Sequence, residues 1–587
     1  MANPLSTTLL TLLSLFGWTI CEAAVAAEAN NSTSTKPNIV FILVDDWGWD
    51  NAGYHRPPGD KEIVTPNINS LVQEGIELNR HYTYHYCSPS RSTLQSGRLA
   101  VHVSWGFDDP LRVNLEDPIT GMSGIPRNMT GIAEKLREAG YRTHMTGKWD
   151  AGMAYWEQTP MGRGYETFFG YYHHAEDYYS QRLSSSGPPD VCGNMVDLWN
   201  TTGPARDRNG TAYVEELFTE NTMGILDRHN PKEPLFLFHS FHLLHTPLQI
   251  PEDWEEKFAW IDNDVRRKYA AMVHYMDHVV GQIVAKLKSK KMWENTLVVM
   301  SSDNGGPTYN LVGIGAGAAS NLPLKGGKMS DWEGGIRVNA LVSGGAIPPS
   351  KRGTKLDDYI HMADWYATFC AIAGVDVEDK RAKAAGLPPV DGIDQSALLL
   401  KSAAEAPAGS GPRTEIHHSV RTLTSGRWKL ITGGEQVVEF LLDEKAALGG
   451  PFVPFSDYLT GYEVPVGLWR KLTFCGLGCL YDIEGDPNEE HDVAKEHPFV
   501  VFDMMRRLKE LNQNNLFVNR GKASRDGCSK WNGFYGPWLA LEGRGLEGDF
   551  VEGLGTSSSP SSSNETTRQK AGKTRGVEQE EDTSVFI

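Results

Sequence analysis

The sequence predicts an α/β fold: a large domain with a mostly parallel central sheet, then a smaller α+β domain with a short antiparallel sheet. Three observations carry this. Between residues 37 and about 400, short apolar runs alternate with longer stretches of helical periodicity. The runs are apolar throughout rather than at every second residue, the pattern of strands covered on both faces. Past an Ala-, Gly-, Ser- and Pro-rich stretch at 404–412, short strand-like pieces and one helix replace that alternation.

The elements follow in order. Ile39-Val40-Phe41-Ile42-Leu43-Val44 reads as a buried strand. Ile132, Ala133, Leu136 and Ala139 share one helical face, Gly140 ends that helix, and Tyr141 to Met145 reads as the next strand. Leu235-Phe236-Leu237-Phe238 follows a helical stretch and Pro231. Met272, Met276, Val279, Ile283 and Leu287 form a long helical stripe, and Leu297-Val298-Val299-Met300 is the strand after it. Arg427 to Ile431 and Gly478 to Asp482 are short strands of the second domain, and Phe499 to Asn512 is its helix. From about Gly555 the chain is Ser-rich and then charged, a composition of disorder. The expected organisation is a leader over 1–26, the large α/β domain over 37–403, the smaller domain over 413–540 and a tail over 555–587.

The N-terminus is apolar from Leu9 to Ile20, and small residues (Ala23, Ala24, Ala26, Ala27) follow. That pattern reads as a secretory signal peptide, although Met1 to Thr8 has no Lys or Arg. A membrane anchor is the alternative, but the stretch is short for a span. Asn30, Asn31, Asn128, Asn200, Asn209 and Asn564 each open an N-x-S/T sequon, which agrees with the secretory route. The expected location is extracellular or lysosomal, with no membrane span left after cleavage. The net charge of −18 argues against nucleic acid and anionic membrane surfaces as partners. An anionic small substrate remains open to a pocket built from named Lys, Arg or metal.

Seven cysteines are few for a disulfide scaffold. Cys21 belongs to the leader. Cys475 and Cys479 are the expected local disulfide, because no second Cys or His pair follows at zinc spacing. Cys370 lies in the helical stretch His361–Ala373 and reads as core.

Four strand ends carry polar groups. The first ends in Asp45-Asp46 and the one after the long helix in Ser301-Ser302-Asp303-Asn304-Gly305-Gly306. The strand after Gly140 leads to Gly147-Lys148-Trp149-Asp150, and the Leu235 strand leads on to His245. In open α/β sheets, ligands bind beyond the carboxyl ends of strands, so these four ends point to one site. Asp45, Asp46, Asp303 and Asn304 are all oxygen donors, a set suited to Ca²⁺ or Mg²⁺. Three adjacent carboxylates would need such a cation to stay ionised together. Asp-Gly and Asn-Gly pairs are also ordinary turns and caps, Lys148 and Lys328 would by default be surface lysines, and His245 could be a turn histidine. Two acidic pairs on separate buried strands weigh against that ordinary reading.

The run Cys87-Ser88-Pro89-Ser90-Arg91-Ser92-Thr93-Leu94-Gln95-Ser96-Gly97-Arg98 resembles the signature of the sulfatase family. The other segments match in order: Asp45-Asp46, then the signature, Gly147-Lys148-Trp149, His245-Thr246-Pro247, Asp303-Asn304-Gly305-Gly306, Leu324 to Lys328, and Glu333 to Arg337. Asp482 to Asp492 looks like the family's C-terminal strand and turn. Gly164 to Tyr171, Glu176 to Tyr179 and His245 to Pro251 look most like the arylsulfatase B (N-acetylgalactosamine-4-sulfatase) branch. The resemblance implies an alkaline-phosphatase-like fold and hydrolysis of aryl or carbohydrate sulfates. It implies that a formylglycine-generating enzyme converts Cys87 to formylglycine, whose hydrate is the nucleophile. Asp45, Asp46, Asp303, Asn304 and modified Cys87 would bind one Ca²⁺. Arg91 would steady the nucleophile, Lys148 and Lys328 would bind sulfate oxygens, and His245 would be the general acid or a sulfate donor.

Two positions depart from the family pattern. Ser96 stands where Thr is usual, and both carry a hydroxyl. Asp150 stands where the family has a His thought to deprotonate the nucleophile's second hydroxyl. Asp150 could act as a base there, but an ordinary carboxylate is a weak one, and it subtracts positive charge from a sulfate pocket. His144, earlier on the same strand, is expected to sit too deep to compensate. The Asp150 change keeps a second reading open, a catalytically impaired protein that binds sulfated glycans. A phosphoester or phosphonate hydrolase of the same fold is a third.

Overall fold

A computed structural model describes residues 36–106, 109–183, 191–308, 310–311, 315–433, 475–476 and 478–539. The expected leader, Asn30, Asn31, Asn564 and the expected tail lie outside the described residues. The main sheet has ten strands: β1 (Asn38–Val44), β2 (Ile76–Leu78), β3 (Arg142–Lys148), β4 (Thr167–Tyr171), β5 (Trp199–Asn200), β6 (Gly203–Pro204), β7 (Leu235–Ser240), β8 (Thr296–Ser302), β9 (Ala340–Ser343) and β10 (Thr354–Leu356). Their order is β10-β2-β9-β8-β1-β7-β3-β4-β5-β6. The five central strands, β8-β1-β7-β3-β4, are all parallel. Antiparallel pairing begins outside them, at β9 against β8 and at β5 against β4.

The apolar runs build two cores, one on each face, because successive side chains of a strand point to opposite faces. Ile39, Phe41 and Leu43 of β1 pack with Leu94, Ile132, Leu136, Trp365 and Phe369. These come from helices α1 (Cys87–Ser96), α2 (Ile132–Glu138) and α5 (Asp364–Ala373). Val40, Ile42 and Val44 pack with Phe218, Met272, Met276, Val279 and Ile283, from α3 (Val214–Arg228) and α4 (Asp264–Ser289). All seven residues of β1 are buried, as a continuous apolar run requires. Cys370, in α5, is a free, buried thiol.

The smaller sheet is antiparallel: β11 (Glu415–Ser419), β12 (Thr422–Ser425), β13 (Trp428–Ile431) and β14 (Cys479–Asp482), in that order. Leu423, Leu430 and Leu480 pack against Met504 and Leu508 of helix α6 (Pro498–Leu511). The opposite face, with Ile416, Ile431 and Tyr481, packs against Tyr82, Trp332 and Ile336. The expected Cys475–Cys479 disulfide is present, and a second joins Cys192 to Cys528 across 336 residues.

A buried charge cluster locks the small sheet to the segment that follows Lys328. Lys429 Nζ lies 3.0 Å from Glu333 Oε1 and 2.7 Å from Glu489 Oε1, with all three side chains out of solvent. Two glutamates share one lysine, and burial pushes the Glu489 carboxyl up to about 7 against the pull of Lys429. Lys429→Met should cost about 3–5 kcal/mol, because it leaves buried carboxylates without their cation. Urea unfolding would show it as a lowered midpoint, and an unchanged midpoint would count against the buttress.

Candidate active site

All five parallel strands point their carboxyl ends to one edge, and each delivers polar side chains there. β1 leads into Asp45 and Asp46, β8 into Asp303 and Asn304, β3 ends in Lys148 with Asp150 two residues on, β7 leads to His245, and β4 leads to His174. Helix α1 begins at Cys87 itself and ends at Gly97, whose φ of 71° is the left-handed C-terminal stop that glycine takes most easily. Asp46 and Asp150 also have positive φ, 60° and 49°. Asp tolerates this region better than most residues, and it turns the chain out of β1 and β3 at the site. Gly147 stands before Lys148 because a Cβ there would meet the Ser240 carbonyl oxygen at 1.7 Å.

Arg91 lies four residues, about one turn, along α1 from Cys87. Its Nη1 donates to the Lys148 carbonyl at 3.0 Å and to Ser240 Oγ at 2.7 Å, while Nε donates to Asp303 Oδ2 at 2.9 Å. One side chain thus joins α1 to the ends of β3, β7 and β8. Cys87 Sγ lies 3.2 Å from Asp45 Oδ1 and 3.4 Å from Lys328 Nζ. Lys148 Nζ lies 2.6 Å from Asp45 Oδ2, and Lys328 Nζ 2.7 Å from Asp46 Oδ1. His245 Nε2 is 3.8 Å from Asp46 Oδ2, and its Nδ1 is 2.7 Å from the Thr246 carbonyl, which can only accept. Both lysines are buried and not on the surface, with Lys328 only 6% exposed.

Asp45, Asp46, Cys87 and Asp303 each bring one ligand atom within 4.8 Å of the others. Burial pushes all three carboxyls up. For Asp45 the surrounding Lys148, His245, Arg91 and Lys328 outweigh burial and hold it well below the usual range. For Asp303 burial and the Asp45 charge win, and its carboxyl rises to about 7. Asn304 Nδ2 donates to Asp46 Oδ1 at 2.7 Å, while its Oδ1 is buried without a hydrogen-bond partner. An orphaned amide oxygen beside crowded carboxylates is a donor set for a hard divalent cation, so these residues fit Ca²⁺. Burial and the carboxylates of Asp303 and Asp45 push the Cys87 thiol well up, which disfavours the thiolate.

Asp150 is buried and ion-paired. Its Oδ1 lies 2.9 Å from His174 Nδ1 and its Oδ2 3.6 Å from Lys148 Nζ. Burial alone would raise this carboxyl, but His174, Lys148 and Arg91 hold it below the ordinary value. It is therefore an anion and a weak base. His144 is bonded through Nδ1 to Thr167 Oγ1 at 2.8 Å, and burial pushes it down to about 4. Arg98 is a structural residue, bonded to Asp379, Ser96 and Pro388. The residues that sequence reasoning missed are Ser240 and His174. The β4 segment is broken by Gly170 and ends in aromatics, so its apolar run is too short to read as a strand.

The sulfatase family model matches residues 37–375 of this chain. Arylsulfatase J of Mus musculus is 31% identical over 534 residues, 88% of this chain and 83% of that one. The chain belongs to the sulfatase family. N-acetylgalactosamine-6-sulfatase of Mus musculus is 27% identical over 368 residues, 62% of this sulfatase and 66% of that one. The crystal structure of Ps i-CgsB superposes with a TM-score of 0.64 at 26% identity, covering 83% of this sulfatase and 96% of that chain. A second Ps i-CgsB structure, a complex with k-i-k-neocarrahexaose, gives a TM-score of 0.63 at 26% identity over 84% and 95% of the two chains. The fold is the alkaline-phosphatase-like one that the resemblance implies, with its parallel sheet and small antiparallel sheet. This sulfatase is a sulfuric ester hydrolase, which takes precedence over the binding-only and phosphoester readings. Sulfatases generally depend on formylglycine and Ca²⁺, and the buried acidic cluster of this one could hold a metal ion.

Proposed function

We propose that this sulfatase hydrolyses sulfate esters of aryl or carbohydrate substrates, glycosaminoglycan-like glycans among them, with residue 87 matured to formylglycine. The observation that carries the reading is Cys87 at the start of a buried helix, between Asp45 and Lys328 and within reach of three carboxylates. The names of its relatives support a carbohydrate substrate: one is an N-acetylgalactosamine-6-sulfatase, and a structural relative is in complex with k-i-k-neocarrahexaose. The motifs at 164–171, 176–179 and 245–251 favour an arylsulfatase B-like branch.

Asp45, Asp46, Asp303 and Asn304 would hold Ca²⁺ together with an oxygen of modified residue 87, and the ion would supply positive charge to the sulfuryl oxygens. The modified residue would supply an oxygen nucleophile. Lys148 and Lys328 are buried cations, each oriented by its own aspartate, and they hold the sulfate oxygens through the transition state. Arg91 orients residue 87 by fixing the helix on which it stands. Burial and Lys328 push the His245 imidazole well below its usual value. A sulfuryl group arriving near Nε2 favours the protonated form, which can then donate to the leaving oxygen. The leader and the sequons favour the secretory route, where a formylglycine-generating enzyme would act on Cys87. We assign the large domain to residues 37–403 and the smaller one to 413–540.

Two measurements test this. Mass spectrometry of the Cys87 peptide, from protein made in a secretory host, should show conversion to the aldehyde, and unmodified cysteine alone would sink the reading. Chelation should lower the Tm and abolish aryl sulfate turnover, and Ca²⁺ should restore both. At a hundredfold excess over Kd the ion adds about 2.7 kcal/mol of stability. A Tm indifferent to chelator and to Ca²⁺ would remove the metal from the proposal.

A further inference from the structure

Two segments that stand apart in the sequence, 176–179 and 245–251, interlock in the fold. Gln249 joins them: its Oε1 accepts from the Tyr178 amide at 2.9 Å, and its Nε2 donates to Asp177 Oδ2 at 2.7 Å. The Tyr178 carbonyl accepts from the Val214 amide at 2.7 Å, at the start of α3. The Tyr178 hydroxyl oxygen lies 3.0 Å from the His242 carbonyl and 3.0 Å from the His245 carbonyl. A carbonyl only accepts, so the one hydroxyl hydrogen serves both ends of the turn 242–245. Glu215, in the first turn of α3, holds the same turn by its amides. Its Oε1 accepts from His242 at 2.8 Å and from Leu243 at 3.0 Å. Within the turn the His245 amide donates to the His242 carbonyl at 3.0 Å, and the Asp45 amide donates to the Leu243 carbonyl at 2.8 Å. The rings are ordered as well. Tyr213, Tyr178, His242 and His245 stack in series, with centroids 5.3, 4.1 and 5.8 Å apart and planes 13°, 18° and 27° from parallel. The series ends in the pocket, where a ring nitrogen of His245, an Asp45 carboxylate oxygen and Cys87 Sγ lie within 4.8 Å of one another.

We propose that Tyr178, together with Glu215, is a positioning residue for His245: the two fix the turn from which the imidazole is presented to the leaving oxygen. The proposal rests on the sulfatase reading and deepens its leaving-group step. In that step the bond from sulfur to the leaving oxygen breaks and its electron pair stays on that oxygen. The proton leaves the His245 imidazolium and forms the O–H bond of the alcohol. A proton donor works only within hydrogen-bond reach of its acceptor, and a displacement of about 1 Å can cost on the order of 100-fold. Tyr178 and Glu215 are both fully buried and meet the turn at its backbone, so they act through His245 and not on the substrate. The Tyr178 hydroxyl sets the His245 carbonyl, the Tyr178 ring backs the His242 ring, and Glu215 sets the amides between them. His245 Nδ1 is held at 2.7 Å from the Thr246 carbonyl, and Nε2 stands 3.8 Å from Asp46 Oδ2. With the backbone and Nδ1 both held, little freedom is left to the ring.

Leaving-group acidity separates this role from a purely structural one, because 4-nitrophenolate leaves with little help from a proton and phenolate needs more. The test uses the full-length protein matured in a secretory host, with 4-nitrophenyl sulfate and phenyl sulfate as substrates. Tyr178→Phe keeps the ring stack and removes the hydroxyl. It should lower kcat on phenyl sulfate by about tenfold or more and on 4-nitrophenyl sulfate by no more than about threefold, with both KM values within about threefold. Its Tm should fall by no more than a few degrees. Glu215→Ala should show the same bias against phenyl sulfate. Glu215→Gln keeps an acceptor oxygen for the two amides and should restore most of the loss. In a His245→Ala background, Tyr178→Phe should have no further effect on either ester. An active parent, an inactive Cys87→Ala and a Tyr178→Phe that slows both esters equally, or neither, would overturn the proposal with the sulfatase reading intact. A Tyr178→Phe effect that persists undiminished without His245 would do the same. A matured parent that turns over no sulfate ester would overturn both. Should Tyr178→Phe fail to fold, the Glu215 pair decides: a Glu215→Gln as biased as Glu215→Ala overturns the proposal.

Discussion

Cys87→Ala is expected to abolish turnover of any sulfate ester, by on the order of 10⁴-fold or more, with little change in stability. On the proposed mechanism turnover falls because the oxygen nucleophile would be made from this side chain and no neighbour would replace it. Arg91, Lys148, Lys328 and Asp45 remain, but they bind and orient charge and do not form a bond to sulfur. Stability holds because Lys328 keeps its 2.7 Å contact with Asp46 and Asp45 keeps its 2.6 Å contact with Lys148 when the sulfur is gone. The Tm should move by no more than a few degrees. Cys370→Ala is the matched control, a free, buried thiol in the core, and it should leave turnover unaltered. A colorimetric aryl sulfate assay with a thermal melt checks all three proteins together. Residual activity in Cys87→Ala near that of the parent would remove residue 87 from the chemistry.

Arg91→Met should cost both activity and stability. The guanidinium is buried and lies 2.8 Å from Asp303 Oδ2 and 3.7 Å from Asp45 Oδ2. It also satisfies the Lys148 carbonyl and Ser240 Oγ. A methionine of similar length fills the space but leaves the Lys148 carbonyl with the Ser240 hydroxyl as its remaining side-chain donor, and Asp303 without its closest cation. Removing one partner of a buried pair typically costs about 3–5 kcal/mol, so the denaturant midpoint should fall well below the parent's. Turnover should fall with it, because α1 loses its ties to three strand ends and Cys87 sits one turn from the lost contact. An Arg91→Met protein with the parent's midpoint would show that the ties are dispensable for the fold.

Much of this was legible in the chain. β1, β7 and β8 stand where the apolar runs Ile39–Val44, Leu235–Phe238 and Leu297–Met300 lie, and α4 covers the stripe from Met272 to Leu287. Those elements are local, set by the period of side chains along a few turns or residues. The acidic pairs, the cysteine signature and Lys148 were legible too, because each sits within a few residues of a strand end or helix start. β4 was not legible, since Gly170 and the aromatic run around it carry no clear period. The strands on that side of the sheet, β9 antiparallel to both β8 and β2, and β10 parallel to β2, are only three or four residues long and exist through their pairing.

The sequence by itself determined the family, the sheet's central strands, and which residues meet beyond their ends, because parallel strands in one sheet must present their carboxyl ends together. It could name Asp150 as out of pattern but not what faces it. Only the tertiary structure decided that His174 does, and that the small sheet anchors the segment after Lys328 through Lys429, Glu333 and Glu489. The reason is register. A contact between neighbouring strands depends on how two distant segments are aligned, and that alignment is set by packing across the whole sheet and not by any local run of residues.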